Sequence, residues 1–236
     1  MLISKRFICI NKLLFLTVFL KNLKLTPALF YFRYILKKYL NKIGFHIADR
    51  FLMVPKMTFR EYRFFKDYLS QNTSALFLES GSGGSTLVAN RLGLQFYTYE
   101  TSEDYALYMN KLLKAYKVIH ISVGKVHKFG RPIEVNPTIT HKISSVFDGN
   151  LLKNVNQQVI VFLDGRCRVL TAAHIHPHLS DEDSVLVHDF TRLKYQDILQ
   201  AYRVVHQIDS LVLLKKKTIS NQALEKLYKK YELDIE

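Results

Sequence analysis

The segment with the strongest chemical signature is a glycine-rich run that directly follows a short apolar stretch at residues 75–78. Its members are Glu79, Ser80, Gly81, Ser82 and Gly83. Glycines permit a sharp turn from a strand into a helix, and their missing side chains let a ligand approach the backbone amides at the start of that helix. The run therefore predicts a ligand-binding loop.

Two common nucleotide-binding loops fit this run poorly. A phosphate-binding P-loop requires Gly-Lys-Ser/Thr, and the run contains no Lys. A dinucleotide-binding loop of the form G-x-G-x-x-G requires a glycine where Thr86 stands, which weakens that interpretation. What the run does contain is the pattern acid-x-Gly-x-Gly, beginning at Glu79.

A second acid, Glu100, lies 21 residues after Glu79 and ends the next predicted strand. A carboxylate accepts two parallel hydrogen bonds, so an acid at this position can bind the two ribose hydroxyls of an adenosine ligand. The alternative is a structural loop with a surface glutamate. The combination of loop and acid favours the adenosine ligand.

The elements that must position these residues follow an alternating pattern of strands and helices. The predicted strands are residues 75–79, 94–100, 118–123, 159–164, 184–189, 202–206 and 211–214. Alternation with helices implies right-handed crossovers and a parallel sheet, whereas the few residues between the last two strands permit only an antiparallel pair. The sequence thus predicts an α/β fold: a Rossmann-like seven-stranded, mostly parallel sheet with a terminal antiparallel hairpin and helices on both faces.

Over roughly residues 58–217 the sequence resembles the class I S-adenosylmethionine-dependent methyltransferases. The resemblance implies that the cofactor is S-adenosyl-L-methionine, that residues 79–83 form its loop, and that Glu100 is the ribose acid. The terminal hairpin also resembles that family, and it argues against a nicotinamide-binding fold. Two departures are visible: Ser85 replaces the last glycine of the usual loop, and residues 123–125 lack the acid often found near the adenine.

Three titratable residues at the ends of predicted strands are the candidates for catalysis: Asp164, His188 and Asp189. Carboxyl ends of parallel strands face the ligand crevice. We expect Asp164 to orient the acceptor and His188 or Asp189 to act as the base, with alternation along the strand pointing those two to opposite sides. If a divalent cation is used, Asp164 and Asp189 would bind it, but the residue that follows is Phe190, so we expect no metal.

Four further residues near these strand ends are candidates for substrate binding: Arg166, Arg168, Arg192 and Tyr195. Either of the first two arginines can bind an acidic substrate, such as a uronate or a phosphate-bearing glycan. It is equally consistent with the sequence that an arginine caps the loop through Asp164. The predicted acceptor is a hydroxyl or carboxylate oxygen of a small molecule or saccharide.

The net charge of +14 is concentrated at the front of the chain, where eleven Lys/Arg and a single acid give residues 1–57 a charge of +10. The remaining residues are nearly balanced, so a nucleic-acid partner is not expected. The apolar run at residues 7–20 is shorter than the roughly 20 residues that span a bilayer. We therefore expect a basic, apolar N-terminal extension, residues 1–57, and a methyltransferase-like domain, residues 58–236.

Two interpretations of the extension remain open. A basic segment rich in Phe, Leu and Tyr can lie on an anionic membrane surface, or it can pack as helices on the domain. The two cysteines, Cys9 and Cys167, provide no disulfide framework, so a cytoplasmic protein, peripheral to a membrane in the first case, is expected. The alternatives to an active methyltransferase are an inactive methyltransferase-like binding protein at a membrane and a nicotinamide-dependent oxidoreductase.

Overall fold

The computed structural model describes residues 26–42, 49–113, 118–147, 149–153 and 155–236. Its internal contacts divide the chain into two compact units, Met1–Phe59 and Arg60–Glu236. Much of the first unit, including the apolar run at residues 7–20, lies outside the described residues. None of the described helices has the length and apolar character that a bilayer-spanning helix needs.

The second unit is built on one seven-stranded sheet with the order β3-β2-β1-β4-β5-β7-β6. The strands are β1 (Leu76–Ser80), β2 (Gln95–Glu100), β3 (Val118–His120), β4 (Val159–Leu163), β5 (Ser184–Val187), β6 (Tyr202–Ile208) and β7 (Leu211–Lys216). Pairing is parallel from β3 through β5, and β7 runs antiparallel to both β5 and β6. The predicted fold class, including the antiparallel hairpin, is confirmed.

The central strands are apolar because the sheet is covered on both sides. Every residue of β1, β4 and β5 is buried, as expected for the middle of a parallel sheet with helices on its faces. In the parallel register Ser80 of β1 lies beside Tyr99 of β2 and Leu163 of β4. The carboxyl ends of β1, β2 and β4 therefore meet at one edge of the sheet, and the candidate site residues follow these ends.

Within the described residues the α-helices are α1 (Pro27–Lys42), α2 (Asp49–Leu52), α3 (Phe59–Gln71), α4 (Gly84–Leu92), α5 (Glu103–Leu112), α6 (Pro137–Ser144), α7 (Gly149–Leu152), α8 (Arg168–Ile175) and α9 (Asn221–Tyr231). Helix α4 ends at Gly93, which has a left-handed φ of 76° and donates to two carbonyls of the helix. The first unit contains α1 and α2, whose Leu40 and Leu52 belong to one small apolar cluster.

The last helix is the element that strand-and-helix alternation did not predict. Ser220 caps α9 by accepting a hydrogen bond from the backbone of Ala223, and Leu224 and Leu227 join the core. This cap and the apolar spacing are signals that the sequence contained. The 125–156 segment, which has no clear periodicity, forms a loop followed by α6 and α7.

Candidate functional site

The loops that follow β1 and β4 pass each other in direct contact, and glycine is required on both sides. Gly81 has a φ of 91°, and a Cβ added to it would lie 2.7 Å from Gly165 Cα. A Cβ on Gly165 would lie 2.6 Å from Ser80 Oγ and 2.8 Å from the Gly81 nitrogen. The glycines thus let two strand-end loops approach at the point where the predicted cofactor loop begins.

Glu79, the acid of the glycine-rich pattern, lies fully buried beneath the loop. Its carboxylate accepts hydrogen bonds from Ser85, from Thr86 Oγ1 at 2.5 Å and from Thr98 Oγ1 at 2.9 Å. Burial raises the pKa of Glu79 to about 7, although these three hydroxyls act in the opposite direction. Glu79 therefore links the first turn of α4, through Ser85 and Thr86, to Thr98 of β2.

Glu100 ends β2 and is joined to the glycine-rich loop. Its Oε2 accepts hydrogen bonds from the backbone nitrogen of Ser82 at 3.2 Å and from Ser82 Oγ at 2.9 Å. Its Oε1 accepts from the backbone nitrogen of Ser102 at 3.0 Å. The predicted loop and the predicted ribose acid are thus brought together, with the carboxylate directed at the loop.

A second loop, residues 125–133, follows the edge strand β3 and reaches the same place. The tip of this 125–133 loop lies at the end of β2, where Thr101 Oγ1 donates to the Gly130 carbonyl at 2.6 Å. It also reaches the end of β4, where Nε and Nη2 of Arg166 donate to the Phe129 carbonyl at 3.2 and 3.0 Å. Because β1 lies between β2 and β4, the tip bridges the two strands that flank the glycine-rich loop.

The three predicted catalytic residues form one cluster. His188 Nδ1 lies 3.0 Å from Asp164 Oδ1 and 4.0 Å from Asp189 Oδ1. The expectation that His188 and Asp189 point to opposite sides is wrong, because β5 ends at Val187 and Asp189 has a left-handed φ of 58°. Alternation applies only to extended backbone. The aspartate side chains are 30% and 31% exposed, whereas the imidazole is 9% exposed.

Glu61, a buried acid that the sequence did not predict for the site, also lies next to His188. Glu61 Oε2, from α3, lies 3.7 Å from His188 Nε2. Glu61 Oε1 accepts hydrogen bonds from the backbone nitrogen and the hydroxyl of Ser210, both at 2.7 Å. In the sequence Glu61 is recognisable only as the acid of a capping box with Thr58, a local signal that says nothing of a distant histidine.

The charges around His188 decide its protonation. Burial by itself lowers the pKa of His188, but the hydrogen bond to Asp164 and the charges of Asp164, Asp189 and Glu61 outweigh it, so the pKa is raised. The carboxylates thus stabilise the protonated imidazole relative to its neutral form, and Nδ1 lies within hydrogen-bond distance of Asp164.

Arg168 is the cation at the centre of this cluster. Its guanidinium lies 3.1 Å from Asp164 Oδ1 and 3.5 Å from Asp189 Oδ2, and the side chain is 8% exposed. It also donates to the carbonyls of Gly165, Asp164 and His188. These contacts correspond to the capping alternative for this arginine and leave no N–H for an acidic substrate.

The two remaining predicted substrate residues lie at different depths. Tyr195 is buried, and its ring lies 5.0 Å from the Arg168 guanidinium carbon, so it supports that side chain from the core. Arg192 is half exposed and donates to Asp189 Oδ2 at 2.7 Å. Of this pair only Arg192 reaches the surface beside the exposed aspartates.

Comparison with known proteins supports the fold. No protein-family model matches the sequence, and no curated protein matches it in a sequence search. Among solved structures, a methyltransferase-like protein from Silicibacter pomeroyi matches with a TM-score of 0.63 and 18% identity, covering 78% of this chain and 98% of that chain. A putative caffeoyl-CoA O-methyltransferase from Staphylococcus aureus matches with a TM-score of 0.46 and 17% identity, covering 79% and 92%. The first of these matches shows that the chain shares the Rossmann-like α/β fold of that methyltransferase-like protein.

Proposed function

We propose that this chain is an S-adenosylmethionine-dependent methyltransferase that acts on an oxygen of a small-molecule acceptor. The observation that carries the proposal is the pairing of the glycine-rich loop with Glu100 at the carboxyl edge of a class I methyltransferase sheet. This edge is where ligands bind in open α/β sheets.

The residues present fit the cofactor. Glu100 offers about four lone-pair positions, and Ser82 and the Ser102 nitrogen use three of them. The Thr101 hydroxyl lies 3.5 Å from Oε1, but its single proton has a shorter bond, at 2.6 Å, to the Gly130 carbonyl. A ribose diol can therefore be bound once the Ser82 hydroxyl turns away. Nothing lies within 4 Å of a Cβ added to Gly83, which leaves room for a ligand at the first turn of α4. When bound, S-adenosylmethionine supplies a methyl group on a sulfonium.

The acceptor would meet the two exposed aspartates. A hydroxyl is a poor nucleophile until its proton is taken, so a proton acceptor must lie at the crevice. Asp164 and Asp189 present carboxylate oxygens there. His188 and Arg168 contact these carboxylates on their buried side. We assign the role of proton acceptor to an aspartate oxygen, and the positioning of that oxygen to the buried side chains of His188 and Arg168.

The acceptor class follows from these groups. Two carboxylates side by side accept hydrogen bonds from neighbouring hydroxyls, which favours a polyhydroxylated small molecule such as a saccharide. The half-exposed Arg192 offers a cation for an acidic group on the same molecule.

The ligand identity is tested by thermal denaturation of the full chain with S-adenosylhomocysteine, NAD or ATP. A ligand that binds only the folded state raises the stability of the protein with the logarithm of ligand concentration above Kd, so we expect a rise with S-adenosylhomocysteine alone. A rise with NAD instead would favour the oxidoreductase alternative. Methyl transfer from labelled S-adenosylmethionine to a panel of saccharides and hydroxy acids tests the acceptor, and binding without transfer would favour the inactive alternative.

A second proposal concerns the N-terminal unit, which we assign to an anionic membrane surface. One side of α1 presents Tyr31, Phe32, Ile35 and Tyr39 to the outside, with Ile35 64% exposed. Lys38 and Lys42 are exposed on the same helix. Aromatic and aliphatic side chains beside lysines are typical of helices that lie in the interface of anionic bilayers.

A further inference from the structure

We propose that Arg168 is a built-in cation whose guanidinium occupies the place of a divalent metal ion between the strand-end acids, so that the cluster binds no such ion. The cluster belongs to the site of the proposed function. Cation binding is measured without methyl transfer, so this proposal and the proposed function can fail separately.

The acids by themselves have the spacing of a metal site. Among the described residues, Asp164, His188 and Asp189 form a group in which one possible ligand atom from each lies within 4.8 Å of the others. Carboxylate and carbonyl oxygens are the ligands that Mg²⁺, Mn²⁺ and Ca²⁺ prefer. A divalent ion would therefore be expected at this cluster unless another group occupied these oxygens.

The guanidinium of Arg168 is that group, because it contacts the same oxygens. Arginine has five N–H donors, and five oxygens surround this one. They are the Gly165 carbonyl at 3.0 Å, the Asp164 carbonyl at 2.8 Å, Asp164 Oδ1 at 3.1 Å, Asp189 Oδ2 at 3.5 Å and the His188 carbonyl. The set joins the loops that follow β4 and β5, as a bound ion would.

The position of the Arg168 side chain is fixed by its surroundings. Arg168 is the first residue of α8, and its side chain lies over the buried ring of Tyr195, almost completely shielded from water. A divalent ion at the same oxygens would have to displace the guanidinium or lie beside it. Like charges at such a distance in a poorly hydrated site repel strongly. Arg168 is thus a positioning residue that fixes both aspartates.

The test is a titration of the full-length protein with Mn²⁺. Binding is monitored by calorimetry and by the electron paramagnetic resonance signal of free Mn²⁺. We expect no saturable binding to the wild-type protein up to about 1 mM, the weak limit of protein sites for hard cations. Arg168→Ser removes the guanidinium but keeps the oxygens, so it should gain one equivalent of bound Mn²⁺. The double variant Arg168→Ser/Asp164→Asn should lose it again.

Two controls separate this effect from a general loss of positive charge. Arg192→Ser removes the other arginine paired with Asp189 and should gain no Mn²⁺ site, since Arg192 is half exposed. Arg168→Lys keeps the charge and should also remain free of Mn²⁺. If Arg168→Ser does not fold, Arg168→Gln, which keeps most of the side-chain volume, replaces it in the titration.

Two results would overturn the proposal. One is an equivalent of Mn²⁺ bound by the wild-type protein and lost in Asp164→Asn. The other is a folded Arg168→Ser or Arg168→Gln variant, confirmed by circular dichroism, that binds no Mn²⁺.

Discussion

Ser82 binds Glu100 twice, through its backbone nitrogen and through its hydroxyl, at 3.2 and 2.9 Å. These bonds close the glycine-rich loop of β1 onto the acid that ends β2. The hydroxyl bond occupies a lone pair that the proposed ribose needs. Ligand binding would therefore exchange one internal hydrogen bond for bonds to the ligand.

Glu100→Ala should weaken S-adenosylhomocysteine binding by at least tenfold. It removes two hydrogen bonds to a charged group, each on the order of 1.5–3 kcal/mol, and tenfold corresponds to about 1.4 kcal/mol. Ser82→Ala is the matched control and should bind within about threefold of wild type, because only the exchanged hydroxyl is lost. Calorimetry that shows unchanged affinity in Glu100→Ala would remove the ribose assignment.

Gly165→Ala should destabilise the fold by about 1–3 kcal/mol, the usual cost of overpacking. The added Cβ would lie 2.8 Å from the Gly81 nitrogen, and backbone cannot turn away as a side chain can. Gly83→Ala adds the same atom to open space and should cost less than about 1 kcal/mol. Urea denaturation measures both, and equal costs would contradict the close approach of the two loops.

Glu79→Gln should become more stable relative to wild type as the pH rises. The pKa of Glu79 is raised to about 7 in the folded state from 4.5, so the folded state holds the proton between these values while the unfolded state loses it. Wild-type stability therefore falls through this window, by on the order of 3 kcal/mol for the full shift, and the neutral variant escapes the loss.

The measurement is the free energy of unfolding of both proteins at several values between about pH 3.5 and about pH 8, which is about one unit beyond each end of the window. The difference should grow up to about pH 7 and then level off. Glu103→Gln, at an exposed position of α5, controls for the loss of one negative charge. A difference that does not change with pH would show that Glu79 is ionised without penalty.

Asp164→Asn and Asp189→Asn should each reduce methyl transfer by at least about 100-fold, the lower range for loss of a general base. Neither residue belongs to the glycine-rich loop, so S-adenosylhomocysteine affinity should stay within a few fold. Turnover is measured with labelled S-adenosylmethionine on the best acceptor of the panel. Wild-type rates in both variants would place the reaction elsewhere.

Ile35→Ser/Tyr39→Ser should reduce sedimentation of the full-length protein with phosphatidylserine-containing vesicles, because both side chains are exposed on α1. Binding should also weaken with added salt, which screens the lysines. Leu107→Ser, an exposed apolar position of α5, is the control and should bind as wild type does. No wild-type binding to these vesicles would end the membrane proposal.

Sequence by itself determined the order of the seven strands and the position of the glycine-rich loop, because both are set by local chemistry. Buried strands in a parallel sheet are continuous apolar runs, as residues 159–163 show, and the few residues between the last two predicted strands permit only an antiparallel pair. The glycine-rich run and Glu100 were recognisable for the same reason, since one strand-loop-helix unit fixes their spacing.

Tertiary structure alone decided what the charged residues do. Glu61 and Ser210 are 149 positions apart in sequence, and only the packing of α3 on the central strands, where Phe65 contacts Phe162 of β4, brings Glu61 to His188. The left-handed backbone at Asp189 turns its carboxylate toward the same cluster, a change that no alternation rule contains. Arg168 illustrates the general reason: a sequence shows that a cation is present, but the use of its five donors depends on which oxygens the fold places around it.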